Sequence, residues 1–285
     1  MEKITASIVV YKNDPCLLKQ AIDSFLRSTM TGPLTVIDNS PTDELRSSCD
    51  YTNVTYIFNN KNLGYGKGHN LAIKQYLNQS RYHLVLNPDV SFAHDVIEKI
   101  FYFMENNPQA GLAMPKVMAP DGQSQMLCKL LPTPFDLATR RFFPFKNWFK
   151  NQNEKYEMKA SGYSYVMNVP FLSGCFMFLR NEAIKKVGPF DERFFLYAED
   201  TDLSRRIHRQ FETLFYPEME ICHVHARGSY KDFRLTFHNI KSAIQYFNKW
   251  GWFFDEERSL INKKATIQAR RTAAIDPKLR EVKAA

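Results

Sequence analysis

The chain has 285 residues, 44% of them hydrophobic, which suffices for one large domain or two small ones with a buried core. Its formal net charge is +8, and the 12 Lys/Arg and 6 Asp/Glu from residue 231 onward place +6 of it in the last 55 residues. The five cysteines include no CxxC pair and the longest apolar run, residues 169–179, is short. These features argue against a disulfide framework, a thiolate zinc site and a membrane-spanning helix.

Strands are predicted at residues 4–11, 34–37, 54–58 and 83–89, and helices after the first and fourth of them. A further strand is predicted at 111–117. This β-α-β-β order predicts a mostly parallel sheet with right-handed crossovers. Proline cannot donate to a strand ladder, so Pro88 ends the fourth strand and leaves Asp89 at its carboxyl end. Ligands bind at that end in open α/β sheets, although a turn residue or a helix cap is the alternative interpretation.

A glycine-rich stretch, residues 59–70, follows the third strand, and Leu71, Ile73 and Leu77 then continue as a helix. Glycines at alternate positions allow the backbone to approach a ligand closely, and a loop that opens a helix suits a phosphate. The stretch matches neither the dinucleotide fingerprint nor the P-loop, so a simple turn stays open as the alternative.

The second half begins with residues 131–165, which carry three prolines and an aromatic, basic cluster at 140–150. We expect an inserted, partly mobile segment outside the core, which forms an acceptor-site flap, a membrane contact or a poorly ordered loop. A buried strand at 169–180 and a helix at 182–187 follow. The next helix should begin near Glu199, where the helix dipole also favours acidic residues. Strands are then predicted at 213–216, broken by Pro217, and at 221–224.

Alternation places His223 and His225 on one side of the last strand, where they could bind a metal. A histidine that is hydrogen-bonded within the protein and binds no metal is the more common outcome. The helix predicted at 231–250 either packs on the domain or lies on an anionic membrane. From Lys263 onward the polar, basic chain is expected to fray. The stripe of the 231–250 helix consists of Phe233, Phe237, Ile240, Ile244, Phe247 and Trp250.

Residues 7–11, 36–40, 86–90 and 195–203 together resemble family 2 glycosyltransferases of the GT-A fold. The loop 62–70 favours the branch of bacterial rhamnosyltransferases that extend lipid-linked surface polysaccharides such as O-antigen. The resemblance covers roughly residues 4–229. It implies an α/β GT-A fold with a mostly parallel central sheet flanked by helices. A Rossmann-like nucleotide-sugar-binding half (1–120) would precede an acceptor-binding, catalytic half (121–230, with the flexible insertion 131–165), and 231–285 would form a basic amphipathic helical region.

The resemblance also implies roles for individual residues. Asp200 would be the catalytic base, with Glu199 beside it raising its pKa through like charge. Asp89 and His223 would bind a divalent cation, Mn²⁺ or Mg²⁺, with His225 as the alternative histidine. Asn87 replaces the first acid of the family's Asp-x-Asp motif and leaves one charged ligand instead of two. The nucleotide sugar would be contacted by Val10, Tyr11, Asp38, Asn39, Asn62, Gly64, Gly66, Lys67, Asn70, Asn87, Arg227 and Ser229.

The function implied is inverting, metal-dependent glycosyl transfer, with dTDP-L-rhamnose as the favoured donor. The acceptor would be a polyprenyl-diphosphate-linked glycan or an oligosaccharide. The protein would be cytoplasmic and peripheral on the inner membrane, with its basic C-terminal helix on the anionic surface. One alternative is the same chemistry with a UDP-hexose, such as UDP-galactose or UDP-N-acetylglucosamine. Another is a non-catalytic nucleotide-sugar-binding scaffold at the membrane. The strand pattern gives no reason to expect a nucleic-acid partner.

Overall fold

The computed structural model describes residues 2–142, 149–224 and 233–275. Within these ranges nine strands form one central sheet, and two short strands form a second. In chain order the strands are β1 (Glu2–Val10), β2 (Thr31–Asp38), β3 (Val54–Phe58), β4 (Ser80–Leu86), β5 (Val90–Phe92), β6 (Ala110–Met118), β7 (Cys128–Lys129), β8 (Met167–Asn168), β9 (Phe171–Leu172), β10 (Phe176–Arg180) and β11 (Glu212–His223).

Nine α-helices lie in the same described ranges. The first follows β1 as predicted, and the Asp14 carboxylate caps its N-terminus by accepting hydrogen bonds from the backbone N–H groups of Cys16 and Leu17. In chain order the helices are α1 (Pro15–Leu26), α2 (Tyr65–Tyr76), α3 (Val96–Asn106), α4 (Pro134–Phe142), α5 (Lys150–Tyr156), α6 (Asn181–Val187), α7 (Glu199–His208), α8 (Phe233–Trp250) and α9 (Glu256–Ile275).

The central sheet has the order β3-β2-β1-β4-β10-β6-β11-β5, with β8 paired to β11. The first four strands are parallel neighbours, as are β6 and β11. Strand β10 runs antiparallel between β4 and β6, and β5 runs antiparallel to β11. The predicted α/β fold with a large central sheet flanked by helices is therefore confirmed. The sheet is mixed rather than mostly parallel in the described residues, because β10 and β5 and the pairing of β8 with β11 are antiparallel. Its parallel half brings the ends of β1 to β4 to one edge.

The predicted start of the second helix was wrong, because α2 begins at Tyr65 and contains two of the three glycines. A Cβ on Gly66 would lie 2.9 Å from the Cβ of Phe190, and one on Gly68 would lie 2.7 Å from a methyl of Val9. The glycines therefore let α2 pack closely on its neighbours, and this close packing outweighs the low helix propensity of glycine.

The segment 131–165 is not a loop outside the core. It contains α4 and α5, and Tyr156, Met158 and Tyr163 are buried. The Tyr163 hydroxyl lies 3.0 Å from the backbone N of Cys128 and donates to backbone carbonyls, which ties the segment to β7. Residues 143–148 lie outside the described ranges.

Three other boundaries differ from the prediction. Pro217 does not break its strand, because β11 continues through a register shift between Tyr216 and Glu220. The predicted strand 169–180 is divided by a turn at 173–175 into β9 and β10. The chain does not fray at Lys263, because α9 continues to Ile275 and buries its small residues Ala265 and Ala269.

Candidate active site

The polar residues that follow the parallel strands lie along one edge of the sheet. Tyr11 follows β1, Asp38 ends β2, and Asn87 and Asp89 follow β4. The pairing of β5 with β11 then sets His223 opposite Val90, directly beside Asp89. The edge thus carries Tyr11, Asp38 and Asn87, which were predicted to contact the nucleotide sugar, together with Asp89 and His223, which were predicted to bind the metal.

Asp89 and His223 meet although they are far apart in the sequence. Their Oδ1 and Nε2 atoms are 3.3 Å apart, and the two side chains are 19% and 6% exposed. The backbone N–H of Val224 also donates to the carbonyl of Asp89 at 3.0 Å. Backbone pairing therefore fixes both side chains at the carboxyl end of the sheet.

Gln125, which no sequence pattern indicated, orients His223. Its Nε2 donates to the carbonyl of His223 at 2.7 Å, and its Oε1 lies 3.2 Å from the imidazole Nδ1. A proton on Nδ1 would be bound by Gln125, which directs Nε2 to Asp89. Burial disfavours a charged imidazole, but the Asp89 carboxylate and the Cys175 thiol outweigh burial and raise the pKa of His223 to about 10.

The Asp89 Oδ1 and the His223 Nε2 are also suitable ligands for a divalent cation. Mg²⁺ holds its oxygen ligands at about 2.1 Å in an octahedron, so adjacent ligands lie about 3 Å apart, close to the separation observed here. A carboxylate oxygen and an imidazole nitrogen are donors that Mn²⁺ and Mg²⁺ accept. Among residues 2–142, 149–224 and 233–275, no group of three or more His, Cys, Asp or Glu side chains is placed to hold a metal. His225 lies outside these ranges.

Asp200 is held at the start of α7 by backbone hydrogen bonds. Its Oδ2 accepts the N–H of Gly174 at 2.9 Å, and its Oδ1 accepts the N–H of Thr201 at 2.8 Å. Tyr197 and Ala198, which directly precede Glu199 and Asp200, have φ values of +70° and +67°. Non-glycine residues rarely adopt this left-handed conformation, which marks a backbone constrained by its surroundings.

The two acids of the pair have different environments. Burial, reinforced by the charge of Asp200, raises the pKa of Glu199 to about 8. The Oε2 of Glu199 is buried and has no hydrogen-bond partner within residues 2–142, 149–224 and 233–275. Burial also raises the pKa of Asp200, but the N–H of Gly174, the charge of Lys129 and the N–H of Thr201 oppose this. Near neutral pH Glu199 therefore holds a proton, while Asp200 is the acid better stabilised as an anion.

The turn at 173–175 joins Asp200 to the loop that carries Asp89. Its Cys175 carbonyl accepts the N–H of Asn87 at 2.9 Å, while its Gly174 N–H donates to Asp200. A Cβ on Gly174 would lie 3.2 Å from the Cβ of Asp200, so glycine permits the close approach. The sequence signal that could have identified Gly174 is a glycine inside a run predicted as a buried strand.

Several predicted nucleotide contacts already have partners within the protein. The Asp38 carboxylate accepts the Tyr56 hydroxyl at 2.5 Å and the Ser40 N–H at 2.7 Å. Asn39 binds the Gly64 carbonyl and the Asn59 amide. These hydrogen bonds hold the ends of β2 and β3 and the start of α2 together. Nucleotide binding by Asp38 and Asn39 stays a prediction.

The other residues predicted to contact the nucleotide sugar lie in two places. The Asn70 amide binds both polar backbone groups of Phe190, and the Lys67 ammonium lies 3.6 Å from the Glu192 carboxylate. At the sheet edge, Tyr11 is 49% exposed and Val10 is buried. The Oδ1 of Asn62 accepts the N–H of Gly64, which has a φ of +85°, and Gly66 lies within α2. Arg227 and Ser229 lie outside the described residues.

Residues near the start of α9 bind the helix that carries Glu199 and Asp200. The Arg205 guanidinium donates to both oxygens of Asp255 at 2.7 and 2.8 Å, and both side chains are buried. It also lies 4.1 Å from the Trp250 ring centroid and donates to Glu257 at 2.8 Å. Trp250, Asp255 and Glu257 thus pack on α7.

Comparison with known proteins agrees with this fold. The family model for glycosyl transferase family 2 matches residues 7–188. The chain is 26% identical over 240 residues to an N-acetylglucosaminyl-diphospho-decaprenol L-rhamnosyltransferase of Mycobacterium tuberculosis, covering 79% of this chain and 76% of that protein. It is 24% identical over 251 residues to the rhamnosyltransferase WbbL of Escherichia coli, covering 84% and 90%.

Similarity to a solved structure supports the GT-A fold. The crystal structure of GalNAc-T7 with UDP, GalNAc and Mn²⁺ superposes with a TM-score of 0.58 at 13% identity, covering 78% of this chain and 43% of that one. No helix in the described ranges is both long and apolar enough to cross a bilayer. The family match spans most of the chain and includes the sheet edge with Asp89, so the chain belongs to glycosyl transferase family 2 and is a glycosyltransferase.

Proposed function

We propose that this glycosyltransferase moves L-rhamnose from dTDP-L-rhamnose to a lipid-linked or oligosaccharide acceptor, with inversion and with a divalent cation. The observation that carries the proposal is the placement of Asp200 beside the turn that also contacts the Asn87–Asp89 loop. The names of the relatives from M. tuberculosis and E. coli support rhamnose as the sugar. The M. tuberculosis relative's name supports N-acetylglucosamine on a polyprenyl diphosphate as the acceptor.

Asp200 would act as the general base. Its carboxylate takes the proton of an acceptor hydroxyl while the hydroxyl oxygen forms a bond to the anomeric carbon of the donor. The bond from that carbon to the diphosphate oxygen breaks on the opposite face, which inverts the configuration. Backbone N–H groups of Gly174 and Thr201 hold the carboxylate in one orientation, so little reorganisation is needed during proton transfer.

Asp89 and His223 would hold the cation, and the GalNAc-T7 structure solved with Mn²⁺ supports Mn²⁺ as a candidate. A bound divalent cation supplies neutralisation of the charge that grows on the leaving diphosphate. Because the raised pKa of His223, 3.3 Å from Asp89, keeps the imidazole protonated near neutral pH, cation binding should release that proton and strengthen as the pH rises.

The donor and the cation can be tested together by calorimetry. We expect dTDP-L-rhamnose to bind more tightly with Mn²⁺ than without it, and more tightly than UDP- or GDP-sugars. Asp89→Ala should weaken binding about 10-fold or more in Mn²⁺, the usual scale for a lost interaction with the metal. Without metal the variant and the wild type should bind nearly alike.

Glu220→Ala serves as the control. This exposed acid lies on β11, as His223 does, but it pairs with Lys116 on β6 and should not affect donor binding. Preference for a UDP-sugar would instead support the hexosyl alternative, which the UDP in the GalNAc-T7 structure also favours. Indifference to every nucleotide sugar would contradict the proposal and favour a scaffold.

We further propose that the C-terminal region rests on an anionic membrane at the cytoplasmic face. Of the stripe predicted on α8, Phe247 is buried against Phe194, but Phe237, Ile240 and Ile244 are exposed. Phe253 and Phe254, which follow α8, are 77% and 97% exposed. Exposed basic residues lie nearby on α9, namely Lys263, Lys264, Arg270 and Arg271.

Co-sedimentation with lipid vesicles tests this contact. The double variant Phe253→Ser and Phe254→Ser should lower partitioning into vesicles that contain phosphatidylglycerol by about 10-fold or more, since each buried Phe contributes roughly 1.5–3 kcal/mol. Tyr102→Ser is the matched control, because Tyr102 is a 58% exposed aromatic on α3. Partitioning that does not change in the double variant, or that needs no anionic lipid, would contradict the membrane contact.

A further inference from the structure

The Tyr65 side chain reaches from the first turn of α2 to the turn at 173–175. Its hydroxyl lies 2.6 Å from the Gly174 carbonyl and 3.1 Å from the Asn87 Oδ1. A hydroxyl has one proton, so the shorter contact assigns the donated hydrogen bond to Gly174. Burial and the neighbouring carboxylates of Glu199 and Asp200 raise the pKa of Tyr65 well above its usual value, so the hydroxyl keeps that proton.

Gly174 is therefore bound at both of its polar backbone groups. Its carbonyl accepts from Tyr65, and its N–H donates to the Asp200 carboxylate. A Cβ on Gly174 would lie 3.4 Å from the Tyr65 hydroxyl and 3.2 Å from the Cβ of Asp200, so the backbone lies in contact with both side chains. A shift of this turn would move the N–H that orients Asp200.

The Tyr65 ring is itself held in place. It meets the ring of His69 edge-on, with centroids 4.4 Å apart, and the ring of Phe190 at 6.1 Å. The backbone N–H of Tyr65 donates to the Phe195 carbonyl at 2.9 Å, in the segment that leads into α7. A side chain that is fixed by packing can hold its hydroxyl at a set position with little loss of entropy.

We propose that Tyr65 is a positioning residue, whose hydroxyl sets the turn at 173–175 and, through the Gly174 N–H, the orientation of Asp200. Tyr65 need not touch the reacting atoms. This inference rests on the proposed role of Asp200 as the base. It assigns to the glycine-rich stretch a second task beside close packing, which is to connect α2 to the catalytic helix.

The test compares Tyr65→Phe with Tyr82→Phe in the full chain. Tyr82 is a matched control, because its buried ring also carries a hydroxyl with a single partner side chain, Glu105, away from the site. Hydrogen–deuterium exchange needs no substrate. We expect faster exchange at Gly174 in Tyr65→Phe, and wild-type exchange there in Tyr82→Phe.

Kinetics then tests the catalytic consequence. With dTDP-L-rhamnose, Mn²⁺ and N-acetylglucosaminyl-diphospho-polyprenol, Tyr65→Phe should lower kcat about 10-fold or more while the donor KM stays within about twofold. A lost structural contact alone would not separate kcat from KM in this way. Unchanged exchange at Gly174 would overturn the positioning role, and unchanged kcat would overturn its link to the base. A wild-type enzyme inactive with every nucleotide sugar would contradict the proposed function, while the exchange data would still test Tyr65.

Discussion

Asp200→Asn is expected to lower kcat by about 10²–10⁴-fold, the range that general base catalysis contributes, while donor binding stays nearly intact. Asn can still accept the Gly174 N–H but cannot take a proton from an acceptor hydroxyl. In the wild type, kcat should rise with pH through the raised pKa of Asp200, because the protonated acid is inactive as a base. This ascending limb should disappear in the variant.

Glu199→Gln is the matched control for that prediction. The pKa of Glu199 is raised to about 8, so at pH 7 its side chain is already neutral, and a neutral amide should change kcat by less than about 10-fold. Steady-state kinetics at saturating donor, with calorimetry for the donor Kd, separates the two variants. If Glu199→Gln lowered kcat as much as Asp200→Asn does, the assignment of Asp200 rather than Glu199 as the base would be contradicted.

Asp255→Ala is expected to lower the free energy of unfolding by about 3–5 kcal/mol, the usual result of removing one partner from a buried ion pair. The variant would leave the Arg205 guanidinium, which is 1% exposed, with Glu257 as its remaining carboxylate partner among the contacts described above. Unfolding in urea, followed by circular dichroism, measures the change.

The control for the ion pair is Glu257→Ala, because the Glu257 side chain is 36% exposed and its contact with Arg205 should contribute about 1 kcal/mol or less. A second variant that combines Arg205→Met with Asp255→Leu should recover part of the lost stability, since the buried charge of Arg205 is then removed together with its partner. The recovery is expected to be partial because Arg258, which is 5% exposed and lies 3.9 Å from Asp255, keeps its charge. Equal losses in Asp255→Ala and Glu257→Ala would show that burial of the pair does not dominate its energetics.

The sequence was sufficient for the parts of the fold that follow local rules. The strand that ends before Pro88 and the helix that follows β1 were both predicted, because each depends on neighbouring residues. The start of α2 and the extent of α9 were not. In α2 the glycines allow close packing against Val9 and Phe190, which no local pattern indicates. Helix α9 packs on the domain through Ala265 and Ala269, and such small residues leave little hydrophobic periodicity in the sequence.

The candidate site shows the same division. Asp89 could be placed at a strand end from the sequence, and the family resemblance added His223 and Asp200. The contacts that orient these side chains come from Gln125, Gly174 and Tyr65, which belong to segments distant in the sequence. No local pattern records that β5 pairs with β11 or that the turn at 173–175 meets α2, so Gln125 and Tyr65 could be identified only from the structure. Gly174 had one sequence signal, a glycine inside a predicted strand, which did not indicate its contact with Asp200.

The ion pair between Arg205 and Asp255 also has a consequence for biosynthesis. The two residues are 50 positions apart, so at about 5–20 residues per second the ribosome adds Asp255 roughly 3–10 s after Arg205. During that interval the parallel half of the sheet can already form, while the helix with Glu199 and Asp200 still lacks the carboxylate that neutralises its buried guanidinium. A nascent chain would thus form the sheet edge that carries Asp38 and Asp89 before α7, with the proposed base Asp200, gains the ion pair of Arg205 with Asp255.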